Sequence, residues 1–194
     1  MAWNWTSVGR YTPKAFTCGY CGLRVGPNEG YFATEQPSGR QRFIYICSNC
    51  EQPTYFENFS QVPGALLGNE VGNLPVDVGT LYNEARKCMT IQAHTAAVLI
   101  CRKLLMNLAV SKGAGAGESF LRYVEFLAAS GFVPPDGKGW VDHIRDKGNE
   151  ANHEVKIMSR EEAEQLISFS EMLLKFVFEF PARIGATTPT PPRP

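Results

Sequence analysis

Ala93–Leu108 reads AHTAAVLICRKLLMNL and overlaps Thr95–Val110, the longest apolar run of the 194-residue chain. If this stretch is helical, nearly all of its faces are apolar, which predicts a helix at the centre of a bundle. The helical pattern extends from Thr80 to about Lys112. Arg102 and Lys103 interrupt the run, and charges at the centre of a membrane span are costly, so we expect no transmembrane segment. Arg102 is expected to be either a paired structural arginine or a functional one.

Further helical patterns follow toward the C-terminus. One runs from Glu118 to Ser130, with Gly131 as its stop, and another begins near Lys138. The last begins at a capping box, Ser159–Glu162, and continues to about Phe180, where Pro181 is expected to end it. We therefore predict a mainly α fold, an up-and-down bundle of about four helices, preceded by a small β module.

Four of the six cysteines form two Cys-x-x-Cys pairs, Cys18 with Cys21 and Cys47 with Cys50. Each pair can direct two thiolates at one metal ion, and four thiolates complete the tetrahedral shell of Zn(II) without an open position. The spacing therefore predicts a structural zinc ribbon. Redox pairs, disulfides and an iron–sulfur cluster are the alternatives.

A β-hairpin is predicted between the two cysteine pairs. Gly30–Thr34 and Arg42–Ile46 have the composition of strands, and the turn residues Gln36–Gly39 separate them. A module of this size buries too little apolar surface to fold unaided, and structural zinc contributes on the order of 10 kcal/mol to such folds. A strong chelator is therefore expected to loosen residues 3–60.

The remaining features of composition bear on compartment and partners. Cys88 and Cys101 lie in helical patterns and are expected to act as small buried hydrophobic residues. Unpaired cysteines of this kind and the absence of a signal-like segment at Met1–Trp5 predict a cytoplasmic protein.

Charge does not by itself predict nucleic-acid binding. The net charge is zero, with 5 Lys/Arg against 4 Asp/Glu in residues 1–60 and 12 against 13 in residues 80–182. The cysteine-containing part nevertheless carries basic and aromatic side chains that either contact RNA or DNA, or pack the ribbon and remain solvated. They are Arg10, Lys14, Arg24, Arg40 and Arg42 with Tyr11, Phe16, Tyr20, Tyr31 and Phe32.

Breaker residues suggest how the chain is divided. We predict a zinc ribbon at residues 1–60, a Gly- and Pro-containing linker at 61–79, a helical bundle at 80–182 and a proline-rich tail at 183–194.

A polar motif interrupts the helical pattern at Arg145–His153, which reads RDKGNEANH. On a helix, Arg145, Asn149 and His153 follow one face at intervals of four residues, so that they could converge on one site. A solvated helix end carrying ordinary charges is the alternative.

Several landmarks resemble domain-of-unknown-function family 4145 over roughly residues 74–182. They are PVDVGTLYNEA at 75–85, AAVLICRKLL at 96–105, GFVP at 131–134, the Arg145–His153 motif and Phe180–Pro181. The resemblance implies a HEPN-like helical bundle and a role in prokaryotic restriction or phage defence. Several HEPN-like proteins are metal-independent endoribonucleases.

The resemblance also implies roles for the polar motif. Arg145 would stabilise phosphate charge, His153 would move protons, and Asn149 would orient substrate or His153, in a site between two copies that pair through the third and fourth helices. The seven residues between Arg145 and His153 exceed the usual interval of the nucleases, and Met106 stands where an acidic residue is common. We therefore expect an adaptor or nucleic-acid-binding protein with a defence-system partner, and a HEPN-type endoribonuclease as the alternative.

Overall fold

The computed structural model describes residues 6–133 and 157–185, together with Gly139 and Val141. The chain divides into two compact units, each formed by two separate segments. The first unit comprises Met1–Leu67 and Arg86–Ala93, and the second comprises Gly68–Ala85 and His94–Pro194.

The first unit contains two antiparallel sheets. The strands are β1 Gly9–Arg10, β2 Phe16–Thr17, β3 Arg24–Val25, β4 Glu29–Thr34, β5 Gln41–Ile46, β6 Pro53–Glu57 and β7 Ser60–Val62. The larger sheet has five strands in the order β1-β4-β5-β6-β7, and the smaller one pairs β2 with β3.

The predicted hairpin is confirmed as the pairing of β4 with β5. Phe32 lies opposite Phe43 and Tyr31 lies opposite Ile44. Because side chains alternate across a sheet, Phe43 and Tyr45 share one face of β5, and Tyr45 extends into the core of the unit. That core consists of Phe16, Cys18, Tyr45, Cys47 and Phe56.

The second unit is helical. The helical elements of the described residues are α1 Val76–Thr90, α2 His94–Ser111, α3 Phe120–Ala129, α4 Arg160–Leu174, a π-helical turn Lys175–Glu179 and α5 Phe180–Gly185. The first part of α1, to Ala85, belongs to the second unit, and its last residues belong to the first unit. The helix α2 packs against both α3 and α4. Its buried residues are Ala97, Val98, Cys101, Leu104, Leu105, Leu108 and Ala109, as expected for a helix with several apolar faces.

Side-chain caps set the starts of α3 and α4. The Ser119 hydroxyl accepts a hydrogen bond from the backbone N–H of Arg122, and Ser159 with Glu162 forms the complete capping box that the sequence predicts. Gly131, with φ of 79°, follows α3 in the left-handed conformation typical of a C-terminal stop. The capping box and the stop at Gly131 were predicted from the sequence, and both are confirmed.

Two helix boundaries were predicted wrongly. The pattern from Thr80 to Lys112 is two helices, because Gln92 adopts a left-handed φ of 61° and ends α1. Pro181 does not end the last helix, which continues to Gly185. It lies directly after the π-helical turn, in a helical segment that is continuous from Arg160 to Gly185.

The predicted mainly α fold is also wrong. The five-stranded and two-stranded sheets contribute enough strand to make this an α+β protein. Strands of two or three residues, such as β1, β2, β3 and β7, are too short to show the alternation by which a strand is recognised in sequence. Within the described ranges, no helix has both the length and the apolar character needed to cross a membrane.

Candidate metal centre

The four cysteines of the two Cys-x-x-Cys pairs lie together in the first unit. Cys18 follows β2 directly and Cys47 follows β5 directly, so the ends of two strands bring the two pairs side by side. All four sulfur atoms lie within 4.8 Å of one another. Cys18 and Cys47 are fully buried, whereas Cys21 and Cys50 are partly exposed.

The sulfur–sulfur distances fit a tetrahedral metal site. They are 3.7 Å between Cys18 Sγ and Cys50 Sγ, and 3.9 Å between Cys21 Sγ and Cys47 Sγ. A Zn–S bond of about 2.3 Å in a regular tetrahedron places the sulfurs about 3.8 Å apart, whereas a disulfide requires about 2.05 Å. The arrangement is thus compatible with zinc and does not correspond to disulfides.

Both cysteine pairs use the same backbone arrangement. The N–H of Cys18 donates to Leu23 O at 2.9 Å, and the N–H of Cys47 donates to Gln52 O at 3.0 Å. The residue after each pair, Gly22 or Glu51, has a positive φ of 74° or 59°. Each loop is therefore closed by its own backbone, and such closure directs the two thiols of a pair to the same side.

Burial makes the thiolate form of two of these cysteines costly in the absence of a cation. It raises the pKa of Cys18, and it raises the pKa of Cys50 strongly. Burial also disfavours the charged form of Cys21. Hydrogen bonds from the backbone N–H of Leu23 and from neighbouring groups outweigh burial, so the pKa of Cys21 is lowered. A divalent cation bound by these sulfurs would hold all four as thiolates, and its closed shell would leave no position for substrate.

A close backbone contact fixes the first loop within its unit. A Cβ added to Gly19 would overlap the carbonyl oxygen of Gly64 and would lie 2.9 Å from Pro63 Cγ. The side chain of Gln61 adds to this contact by donating to Thr17 O at 2.8 Å. Glycine between Cys18 and Cys21 therefore allows the segment after β7 to pack directly on the loop.

Most of the basic groups proposed as nucleic-acid contacts have acidic partners. Phe16 is a core residue, and the ammonium group of Lys14 lies 4.7 Å from the ring centre of Phe56. Three arginines form ion pairs: Arg10 with Glu29 at 3.5 Å, Arg40 with Glu57 at 3.4 Å and Arg42 with Glu57 at 3.0 Å. The ion pairs and the burial of Phe16 favour the interpretation in which the aromatic side chains pack the ribbon and the basic groups remain at the solvated surface.

Arg102 is a partly buried arginine of the second unit. Its guanidinium group lies 4.6 Å from the ring centre of Phe120, and burial lowers its pKa. The contact joins α2 to α3 through a cation–π interaction, which supports a structural role. Cys101 is fully buried, as expected for a small hydrophobic residue, and Cys88 is partly buried.

The polar motif cannot be placed in this architecture. Arg145, Asn149 and His153 lie outside the described residues. Their proposed convergence and catalytic roles stay predictions.

Sequence reasoning missed one surface feature of the first unit. Phe32, Phe43 and Tyr45, from paired strands, line an open depression together with Tyr11, Thr12 and Gln41. The sequence does contain a pattern that could have predicted this depression. Phe43 and Tyr45 alternate on β5, and an aromatic residue lies opposite them on β4.

The chain is therefore a protein that combines a candidate metal centre of four cysteines with a helical unit. The family model described as Domain of unknown function (DUF4145) matches residues 83–188, more than half of the chain. The chain belongs to this family. Comparison with curated proteins and with solved structures gives no match.

Proposed function

We propose that this chain is a zinc-binding, HEPN-like adaptor of a prokaryotic defence system. In this proposal the first unit is a zinc ribbon whose metal is structural, and the helical unit binds another subunit of the system. The observation that carries the proposal is the group of four thiols at tetrahedral distances, which would close the coordination shell of zinc. A closed site of this kind stabilises a binding surface and performs no chemistry.

The ion pairs of the first unit favour a protein over RNA or DNA as the partner. Three of the arginines that could contact phosphate are paired with carboxylates. The positive potential that drives association with nucleic acid is therefore weak on this unit. These ion pairs make RNA or DNA a poor ligand for the first unit, which leaves a protein as the partner of the helical unit in this proposal.

The HEPN-like and defence-related parts of the proposal rest on what the resemblance to family 4145 implies, because the matching family model itself describes a domain of unknown function. The matched region includes α2, α3 and α4, together with the Arg145–His153 motif in the sequence. The alternative function is a metal-independent endoribonuclease that uses Arg145, Asn149 and His153 across a homodimer interface.

A phage challenge separates the adaptor from the nuclease. Cells carrying the native defence system would express the wild-type chain, His153→Ala, or Cys21→Ser with Cys47→Ser, and plaque formation and intact RNA would be followed. The adaptor proposal expects His153→Ala to protect as well as the wild type, with equal RNA integrity. It expects the double cysteine variant to lose at least tenfold of the protection.

Two outcomes would reject the adaptor. Loss of protection and of RNA cleavage in His153→Ala, at wild-type protein levels, would identify the endoribonuclease. Full protection by cells that lack the chain would show that it has no role in defence. Immunoblots of each variant provide the control for protein level.

A further inference from the structure

An open aromatic depression lies on the five-stranded sheet of the first unit. It has a volume of about 240 Å³ and is lined by Tyr11, Thr12, Phe32, Gln41, Phe43 and Tyr45. We call it the aromatic depression. Phe32 is 46% exposed, a large exposure for an aromatic ring in the middle of a paired strand. An exposed ring among other aromatic rings is typical of a surface that binds a partner.

The rings form a continuous wall. Ring centres are 5.6 Å apart for Phe32 and Phe43, and 5.8 Å apart for Tyr11 and Phe32. Phe43 and Tyr45 stack with an angle of 18° between their planes. The wall therefore presents ring faces and edges at contact distances to any group that enters the depression.

Hydrogen bonds hold the wall in place without a ligand. The Tyr45 hydroxyl donates to Thr12 O at 3.0 Å, and the N–H of Tyr11 donates to Asn28 O at 2.8 Å. Phe32 and Phe43 are opposite residues of the β4–β5 pairing. A preformed surface of this kind binds a ligand with little loss of conformational entropy.

Charge and size restrict the ligand. All six lining residues are uncharged, so none of them offers a positive charge to a phosphate, and the adjacent Arg10 pairs with Glu29. Cofactor and small-molecule cavities typically measure about 300–1,000 Å³, which is more than this depression provides. It fits one or two side chains of an extended, uncharged peptide.

The chain itself contains a proline-rich peptide in which Arg193 is the one charged side chain. Residues 187–194 read TTPTPPRP and include two overlapping Pro-x-x-Pro patterns, Pro189 to Pro192 and Pro191 to Pro194. Proline fixes φ, so a proline-rich segment loses little entropy on binding, and aromatic-lined grooves are the surfaces that recognise it.

We propose that the aromatic depression binds the proline-rich segment Thr187–Pro194 of a second copy of this chain. Each copy carries one such surface and one such segment, so two copies can exchange segments reciprocally, or a series of copies can bind head-to-tail. Proline rings pack on Phe32 and Phe43, and the exposed amide of Gln41 hydrogen-bonds a backbone carbonyl of the segment.

A peptide titration tests this assignment on the full chain. Pro189, Pro191 and Pro192 are replaced by alanine in the protein, so that its own segment does not compete. A fluorescein-labelled peptide of residues 187–194 is then titrated and followed by anisotropy. We expect saturable binding, weakened about tenfold or more by Phe32→Ala.

Two variants keep the result interpretable. Phe59→Ala removes a fully exposed ring from the turn between β6 and β7 and is expected to bind the peptide like the parent protein. Thr12→Arg fills the depression from an exposed position and is expected to weaken binding as Phe32→Ala does. Circular dichroism and metal content should match the parent in all three variants.

Several results would overturn the proposal. The first is that the labelled peptide shows no saturable binding. The second is that a peptide with its prolines replaced by alanine binds as tightly as the native peptide. The third is that neither Phe32→Ala nor Thr12→Arg weakens the binding. Tighter binding of an oligothymidine, lost in Phe32→Ala, would instead identify a nucleic-acid surface. A wild-type chain that remains monomeric in sedimentation at concentrations where the peptide binds would reject the second copy as the occupant.

Discussion

Replacement of Cys21 by serine tests whether the four-cysteine cluster holds a structural zinc ion. Cys21 is partly exposed, and its sulfur lies 3.9 Å from that of Cys47. The substitution removes one thiolate from the proposed shell while keeping a side chain of nearly the same size. We expect weaker zinc binding and loss of the fold of the first unit at temperatures where the wild type is folded.

The size of the effect follows from the number of ligands. Structural zinc contributes about 10–16 kcal/mol to small modules at pH 7. If the four sulfurs contribute equally, one thiolate accounts for about 3 kcal/mol, or a zinc affinity weaker by a factor of about 150. The core of this unit includes Cys18 and Cys47 themselves, so loss of zinc removes support directly from Phe16, Tyr45 and Phe56.

Competition with a chromophoric chelator measures the affinity, and melting with and without EDTA measures the stability. Cys88→Ser is the matched control, because Cys88 is also partly buried but lies outside the cluster. We expect it to keep the wild-type zinc affinity and to change stability by less than about 1 kcal/mol.

The reasoning would be refuted if Cys21→Ser bound zinc as tightly as the wild type. It would also be refuted if a metal-free sample kept the β4–β5 hairpin, which amide hydrogen exchange at Tyr31 and Ile44 would report. In either case the cysteines would pack as ordinary core residues.

Three further substitutions test individual contacts. Gly19→Ala should lower the melting temperature, because its Cβ overlaps the Gly64 carbonyl and overpacking costs about 1–3 kcal/mol; unchanged melting would contradict this contact. Thr54→Val should be neutral or stabilising by up to about 1 kcal/mol in urea unfolding, because the fully buried Thr54 hydroxyl has no hydrogen-bond partner within the described structure. Burial opposes the charged form of Glu171, but hydrogen bonds, including one from Lys175, outweigh it and lower the pKa. Its contribution to stability is therefore present above the carboxyl's unfolded pKa and is lost as pH falls through the lower folded pKa, so Glu171→Gln should flatten the acid limb of a pH–stability curve.

The parts of the fold that local chemistry determines could be predicted from the sequence. Each cysteine loop is closed by hydrogen bonds within six residues, so the spacing of Cys18 and Cys21 carries most of the information. The capping box at Ser159 and the β4–β5 hairpin are similarly local. In contrast, β1 has two residues and pairs with β4 about twenty positions later, a contact that no short pattern encodes.

The end of α1 shows a different limit of sequence reasoning. No glycine or proline separates α1 from α2, and the apolar pattern continues across Ile91–Ala93. The break depends on Gln92, whose φ of 61° costs a non-glycine residue about 1 kcal/mol or more. Hydrogen bonds from Gln92 N to Met89 O and from Ala93 N to Cys88 O offset that cost. The break is therefore a local helix end whose left-handed position is occupied by glutamine instead of the usual glycine, so residue preferences do not signal it.

Hydrogen bonds to two glutamates of the last helical region hold part of the predicted linker, at Asn69 and Gly72, in place within the second unit. On a sequence pattern, Glu171 and Glu179 fall among solvated charges. In the structure Glu171 accepts hydrogen bonds from the backbone N–H and the side-chain amide of Asn69, both at 2.9 Å, and the buried Glu179 accepts one from Gly72 N at 2.9 Å. Lys175 and Arg183, one turn later in each case, pair with these carboxylates. Glu171 lies in α4, and Glu179 is the last residue of the π-helical turn that follows it. The non-periodic segment is therefore held by carboxylates on another element, and its order could not be inferred from its own composition.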